Sequence, residues 1–219
     1  MSRAVVTGAA RGIGAAVADR LAAADFDVLR VDIDPSVDGL VADVTDPDDR
    51  ARIVEAAGEV SVLVNNAGIT RDARIVKMTE EDFLRVIRVN LGAAYELTRA
   101  CTFADGASVV SLASRAYLGN FGQFNYSMSK GGLVGMTRAL ALELAPRVRV
   151  NAIAPSLTAS EMTKAMPAKV LDKMIASIPL GRQAEPEEIA ETIAALATPA
   201  TAYVTGQVLV ACGGRSLAP

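Results

Sequence analysis

The sequence predicts an α/β fold, a doubly wound parallel sheet built as a single domain over residues 1–219. Three observations predict it. Short aliphatic runs alternate with longer helical stretches, the rhythm of parallel strands buried on both faces. The first run leads into "TGAARGIG" (7–14), with glycines at 8, 12 and 14 directly before a helical stretch. The second run ends in an acid, Asp32.

Taken in order, "RAVVTG" (3–8), "DVLRVDI" (27–33), "GLVADV" (39–44), "SVLVNN" (61–66), "ASVVSL" (107–112), "RVRVNAIAP" (147–155) and "GQVLVA" (206–211) read as strands. They are nearly continuous Val, Leu and Ile, too short for helices and too uniformly apolar for a half-exposed sheet. Helices are expected near 12–24, 48–57, 79–103, 125–145 and 186–197. Thr79 with Asp82 in "TEEDF" opens the third of these as a capping box would, and proline followed by acids opens "EPEEIAETIAAL". The least regular stretch, 156–185, is rich in Thr, Ser, Met and Pro, and a substrate lid is expected near 157–182. There is no internal repeat or interdomain linker.

The composition narrows the function. The chain has 22 basic and 25 acidic residues, a formal net charge of −3, and no basic run, which argues against nucleic acid as a partner. No stretch suits a signal peptide or a membrane span, so a cytoplasmic protein is expected. With no histidine and two isolated cysteines, Cys101 and Cys212, neither a metal site nor a disulfide framework is expected. A small molecule is the expected partner, and histidine is excluded as its proton carrier.

The glycine run has a physical reading. Gly8 permits a tight turn, Gly12 clears bulk where a pyrophosphate approaches the backbone, and Gly14 lets the helix pack closely on the sheet. The helix N-terminus attracts the anion. A carboxylate at Asp32 can accept from both adenosine ribose hydroxyls and would repel a 2′-phosphate, which favours NAD over NADP. Arg11 points towards NADP, because it can pair with that phosphate; Asp32 weighs more, since Arg11 can turn into solvent. Together these are the marks of a Rossmann fold.

The set TGxxxGIG (7–14), "NNAG" (65–68), "VN" ending at Asn90, and YxxxK (126–130) resembles the short-chain dehydrogenase/reductase family, in its compact single-domain, 3-oxoacyl reductase-like branch. The resemblance runs through the whole chain and includes "PLGR" (179–182), "PEEIA" (186–190) and "TGQVLV" (205–210). It implies NAD(P)-dependent hydride transfer at a carbinol or carbonyl carbon. Gly8, Arg11, Gly12, Ile13 and Gly14 then hold the pyrophosphate, Asp32 the adenosine ribose, and Asp43 and Val44 the adenine side. Asn66, Ala67 and Gly68 approach the cofactor by their backbone, and Pro155, Thr158 and Ser160 lie at the nicotinamide carboxamide. Asn90, Ser114, Tyr126 and Lys130 form the catalytic set, with Asn90 bending its helix and Lys130 also holding the nicotinamide ribose. The resemblance further implies a homotetramer, or a homodimer, paired through the helices near 79–103 and 125–145.

The chemistry of the pair follows from its spacing. A tyrosine has a reference pKa near 10, too high for a base at neutral pH. A lysine one turn on, at i+4, is expected to lower it, so that Tyr126 moves the alcohol proton. The serine is harder to place, because the commoner family spacing falls on Ala113. Ser114 is assigned on the assumption of a loop one residue shorter, with Ser111 inside the strand. Tyr117, Leu118, Phe121, Phe124 and Leu157, with Met162, Met166 and Met174, suggest an apolar pocket for a small secondary alcohol or ketone. An NADP-dependent 3-oxoacyl-thioester reductase is the alternative. A nucleotide sensor without turnover is a further one, but such a sensor needs only the binding loops, not the four catalytic positions.

Overall fold

The computed structural model describes residues 2–160, 163 and 166–217. Seven strands, β1 (Arg3–Thr7), β2 (Asp27–Asp32), β3 (Leu40–Val41), β4 (Glu59–Asn65), β5 (Thr102–Leu112), β6 (Val148–Pro155) and β7 (Val208–Ala211), form one sheet in the order β3-β2-β1-β4-β5-β6-β7. Every pairing is parallel. The helices are α1 (Gly12–Ala22), α2 (Pro47–Ala57), α3 (Glu80–Ile87), α4 (Ala93–Ala100), α5 (Phe124–Glu143), α6 (Ala168–Ala176) and α7 (Pro186–Ala197). The strand order reverses between β1 and β4, and a crevice opens there outside the carboxyl ends of the strands.

Both sheet faces are covered, which is why the strands are unbroken aliphatic runs. Ala4, Val6, Val62, Val64 and Val110 face α1 and α7, meeting Val17, Leu21, Ile189 and Ile193. Val5, Val31, Leu63, Val109 and Val150 face the other way, onto Ile53 of α2 and Leu97 of α4. Adjacent residues of β1 thus serve opposite layers, as a two-residue side-chain period requires.

Three elements depart from expectation. The strand expected over 39–44 is only Leu40–Val41, because Asp43 accepts from Thr45 N and Thr45 Oγ1 (both 2.8 Å) and turns the chain. The long helix expected over 79–103 ends at Ala100 and is broken by a π turn, Arg88–Gly92, between α3 and α4. Helix α6 was not expected; Val170, Leu171, Met174 and Ile175 recur at helical spacing along it, but the pattern is short, sits in an otherwise irregular stretch and leaves none of its residues fully buried.

Candidate active site

The crevice is built from loops at the carboxyl ends of the strands. Thr7 ties two of them together: its Oγ1 accepts from Asn66 N and Ala67 N, each at 3.1 Å. Asn66 Nδ2 returns bonds to the carbonyls of Thr7 and Gly8, each at 2.9 Å. A side chain at Gly14 would collide with the Gly8 carbonyl, so the helix can approach the turn only without one. Gly12 is different: its φ is +58° and a Cβ there would meet nothing within 4 Å. Its freedom serves the turn and leaves open space before the N-terminus of α1, a cradle that fits the pyrophosphate of a dinucleotide.

Asp32 closes the far side. Its Oδ2 accepts from Ala10 N at 2.9 Å and its Oδ1 from Asp34 N at 3.0 Å, which fixes the carboxylate beside the glycine loop. A carboxylate has room for about four donors, so it can still accept from ribose hydroxyls. Arg11 does not simply turn into solvent. Its side chain is 75% exposed, and its Nη1 pairs with Asp34 Oδ2 at 2.8 Å. Hydrogen bonds from Ser36, with Arg11 adding to them, hold the Asp34 carboxyl below its ordinary pKa.

On the other side, Tyr126 stands in the first turn of α5 and Lys130 one turn on, with Nζ 5.6 Å from the tyrosine ring centre. Lys130 is 3% exposed, and its Nζ donates to Leu112 O at 2.5 Å. Burial lowers its pKa to about 8. Burial also raises the Tyr126 phenol, the Ser114 hydroxyl pulls it down, and Asp72 pushes it up. This corrects the expectation that the lysine lowers the tyrosine pKa. Lys130 is buried so deeply that its own charge is disfavoured, and the lowering partner within the protein is Ser114.

Ser114 caps the short 3₁₀ turn Arg115–Leu118, accepting from Ala116 N at 3.2 Å, and lines the cleft. Ala113, at the commoner serine spacing, is 2% exposed and its N–H bonds Ile153 O at 2.8 Å. Ser111 lies within β5 and is fully buried. Asn90 sits in the π turn, 1% exposed. Its side chain clamps Ile69 at both backbone groups (2.8 and 3.0 Å) and reaches Ser129 Oγ at 3.1 Å. Ser129 Oγ in turn donates to Tyr126 O at 2.8 Å, so Asn90 fixes the turn that carries the tyrosine.

These groups surround one cleft of about 1370 Å³. Gly8, Arg11, Ile13, Gly14, Asp32, Asp43, Val44, Asn66, Ala67, Gly68, Ser114, Tyr126, Pro155, Thr158 and Ser160 line it. Gly12, Asn90 and Lys130 do not; the last two stand behind the wall. That volume exceeds the ~300–1,000 Å³ of a usual small-molecule site and accommodates a dinucleotide together with a substrate. Among the described residues no cluster of His, Cys, Asp or Glu could hold a metal ion, and no helix is long and apolar enough to cross a membrane.

The expected apolar pocket needs correction. Leu157, Met166 and Met174 line the cleft, but Tyr117, Leu118, Phe121 and Phe124 do not. Phe124 stacks on Phe83 with ring centres 6.0 Å apart, and Phe121 is 88% exposed. Met162 lies outside the described residues. Arginines at 85, 88, 115 and 215 line the cleft instead. Sequence reasoning also missed Thr7, Asn125 and Ser129 as positioning groups. Asn125 is fully buried, and its Nδ2 donates to Arg71 O at 2.9 Å, anchoring the start of α5. A polar residue beside the catalytic pair was its one available signal.

Residues 8–216 match the family model described as enoyl-(acyl carrier protein) reductase. The chain is 40% identical to the 3-oxoacyl-[acyl-carrier-protein] reductase of Thermotoga maritima, over 96% of each chain. Among solved structures it resembles a short-chain dehydrogenase/reductase, glucose/ribitol dehydrogenase, from Brucella melitensis (TM-score 0.92, 32% identity, covering 98% of this chain and 96% of that one). It also resembles a blue fluorescent protein from a metagenomic library, in complex with NADPH (TM-score 0.93, 31% identity, 98% of each chain).

Proposed function

The chain belongs to the short-chain dehydrogenase/reductase family, oxidoreductases of hydroxy and oxo groups, and from that premise we propose an NAD-preferring dehydrogenase whose acid–base group is Tyr126. The observation that carries the proposal is the meeting of Ser114 and Tyr126 with the glycine loop in one cleft, with Lys130 and Asn90 directly behind. A bound nicotinamide cofactor supplies or accepts the hydride. Tyr126 takes the carbinol proton in oxidation and returns it to the developing alkoxide in reduction. Ser114 donates to the same oxygen as charge grows there. Lys130 holds the floor of the site through Leu112 O, and Asn90 keeps the Ile69 backbone and the Tyr126 turn in register.

Preference for NAD follows from two acids. Asp32 faces the ribose side of the cleft, and Asp34 occupies the arginine that would otherwise meet a 2′-phosphate. Segment 157–182, containing α6 with Leu157, Met166 and Met174 against the cleft, supports a lid over the substrate. The test is a panel of secondary alcohols and ketones read by cofactor absorbance at matched NAD and NADP. A higher kcat/KM with NAD is expected, and Asp32→Ala should narrow the gap. A severalfold wild-type preference for NADP would overturn the NAD assignment. The names of two relatives favour a second reading, NADP-dependent reduction of a 3-oxoacyl thioester: one acts on an acyl-carrier-protein substrate and the other binds NADPH. Tyr126→Phe should abolish turnover under either reading, because no histidine can take over the proton.

A further inference from the structure

The arginines of the cleft are not equivalent. Arg85 has Glu81, another lining residue, one helical turn away on α3. Arg115 follows β5 and Arg215 follows β7, on loops at the carboxyl side of the sheet, and neither makes an ion pair among the described residues. Both line the cleft at its carboxyl-end loops, where burial and the charge of Arg115 pull the Arg215 guanidinium below its ordinary pKa. Arg115 Nε is shielded from solvent and has no hydrogen-bond partner among the described residues. Between them, just past β6, Ser156 lines the same wall, and among the described residues its hydroxyl has no partner either.

A nearby group able to carry negative charge is the Cys212 thiol. Burial pushes it up, but hydrogen bonds from Ser216 and Gly214 and the charge of Arg115 outweigh that and leave it below its ordinary value. Its sulfur already accepts from Ser216 N at 3.4 Å and it is 8% exposed, so it cannot satisfy two guanidinium forks. Two like charges, half-withdrawn from water with no carboxylate between them among the described residues, destabilise a fold unless something anionic compensates them. Guanidinium forks suit planar carboxylates and phosphates.

We infer that Arg115 and Arg215 form an anion subsite that selects a hydroxy or oxo substrate carrying a carboxylate or phosphate group. The inference rests on the oxidoreductase reading above. Arg115 is the immediate neighbour of Ser114, so an anion held there lies close to the oxygen that Ser114 and Tyr126 address. The shared chemistry is an oxyanion, either a carboxylate on the acyl portion or the phosphate of a thioester carrier arm.

Two arms test it on the protein saturated with NADH as hydride donor, wild type against Arg115→Gln and Arg215→Gln. In the first, kcat/KM is compared for a neutral ketone, the same ketone bearing a carboxylate, and a thioester whose carrier arm bears phosphate. The ratio of anionic to neutral substrate is taken within each protein, so loss of folded enzyme cancels. Wild type should favour one anionic member, and each variant should cut that ratio by about tenfold or more. Which member responds tells carboxylate from carrier phosphate. An unchanged ratio overturns the inference, as does weaker NAD binding with no change in ratio, which would give the pair to the cofactor. If wild type turns over none of the panel, the oxidoreductase reading falls, and the second arm alone decides the subsite. There, malonate should raise the melting temperature of wild type above chloride at equal ionic strength, and the variants should lose that shift. No wild-type shift in that case overturns the subsite as well.

Discussion

At Tyr126 opposing effects meet. Burial, with the charge of Asp72, favours the neutral phenol and raises its pKa, while the Ser114 hydroxyl favours the phenolate. Ser114→Ala therefore removes a donor to the developing alkoxide and one of the influences holding the tyrosine pKa down. We expect kcat to fall on the order of a hundredfold with little change in NAD affinity. The ascending, acid-side limb of the oxidation profile should also move to higher pH, because less phenolate forms at any given pH. Ser111→Ala, within β5, should act through stability alone; near-native kcat in Ser114→Ala with loss in Ser111→Ala would reverse the assignment. Lys130 makes a second pH-dependent case. Its pKa falls from 10.5 unfolded to about 8 folded, roughly 3 kcal/mol of differential protonation. Between those values the unfolded chain binds the extra proton, so stability rises with pH across that window, and the full cost is present below pH 8. Urea denaturation should show wild type gaining on Lys130→Met between pH 8 and 10.5; a constant difference would contradict burial as the cause.

The glycine loop and α1 act as one element. A methyl at residue 14 would meet the Gly8 carbonyl, which is backbone and already held by Asn66 Nδ2 at 2.9 Å. Nothing there can yield cheaply. Gly14→Ala should cost about 1–3 kcal/mol or more and weaken NAD binding in parallel, read by thermal melting and by calorimetric titration. Native stability in that variant would mean the loop can relax. This element was readable in the chain because its chemistry is local: three glycines, a strand before and a helix after. The Tyr126–Lys130 pair was readable for the same reason, one helical turn apart. Asn90 signalled itself as a polar residue inside a helix, but the π turn it occupies could not be read, since that turn depends on bonds to Ile69 and Ser129 from other elements. Likewise α6 was overlooked because its apolar stripe, Val170, Leu171, Met174 and Ile175, is short and lies in an otherwise irregular stretch. Arg115 and Arg215 lie far apart in sequence and line one cleft only because β5 and β7 both end at the carboxyl side of the sheet. The aromatic residues before α5 suggested an apolar pocket by composition, yet Phe121 points to solvent.

At the scale of the whole molecule, two separate surfaces carry apolar groups that the fold does not cover. On α5, Phe124, Met128 and Leu142 are 43%, 48% and 83% exposed. Between them Gly131 and Gly135 leave a flat strip where an added side chain would meet nothing within 4 Å. At the sheet edge, β7 has an unpaired side, Leu209 is 47% exposed, and Tyr203 stands fully in solvent. An uncovered edge strand and a bare apolar helix face are liabilities in a monomer. Two distinct faces that each bury themselves against a copy of the same face generate a tetramer with three perpendicular twofold axes. The helix pairing expected from sequence would cover one of these faces, α5 sealing the catalytic turn inward and its outward face meeting a copy in that pairing. We therefore expect a homotetramer by light scattering at micromolar concentration. Gly135→Glu places a charge in the middle of the α5 strip, away from every residue that lines the cleft, and should reduce the particle to a dimer held by the β7 edge. Wild type running as a monomer would remove the assembly altogether, and an intact tetramer in Gly135→Glu would move the helix interface elsewhere.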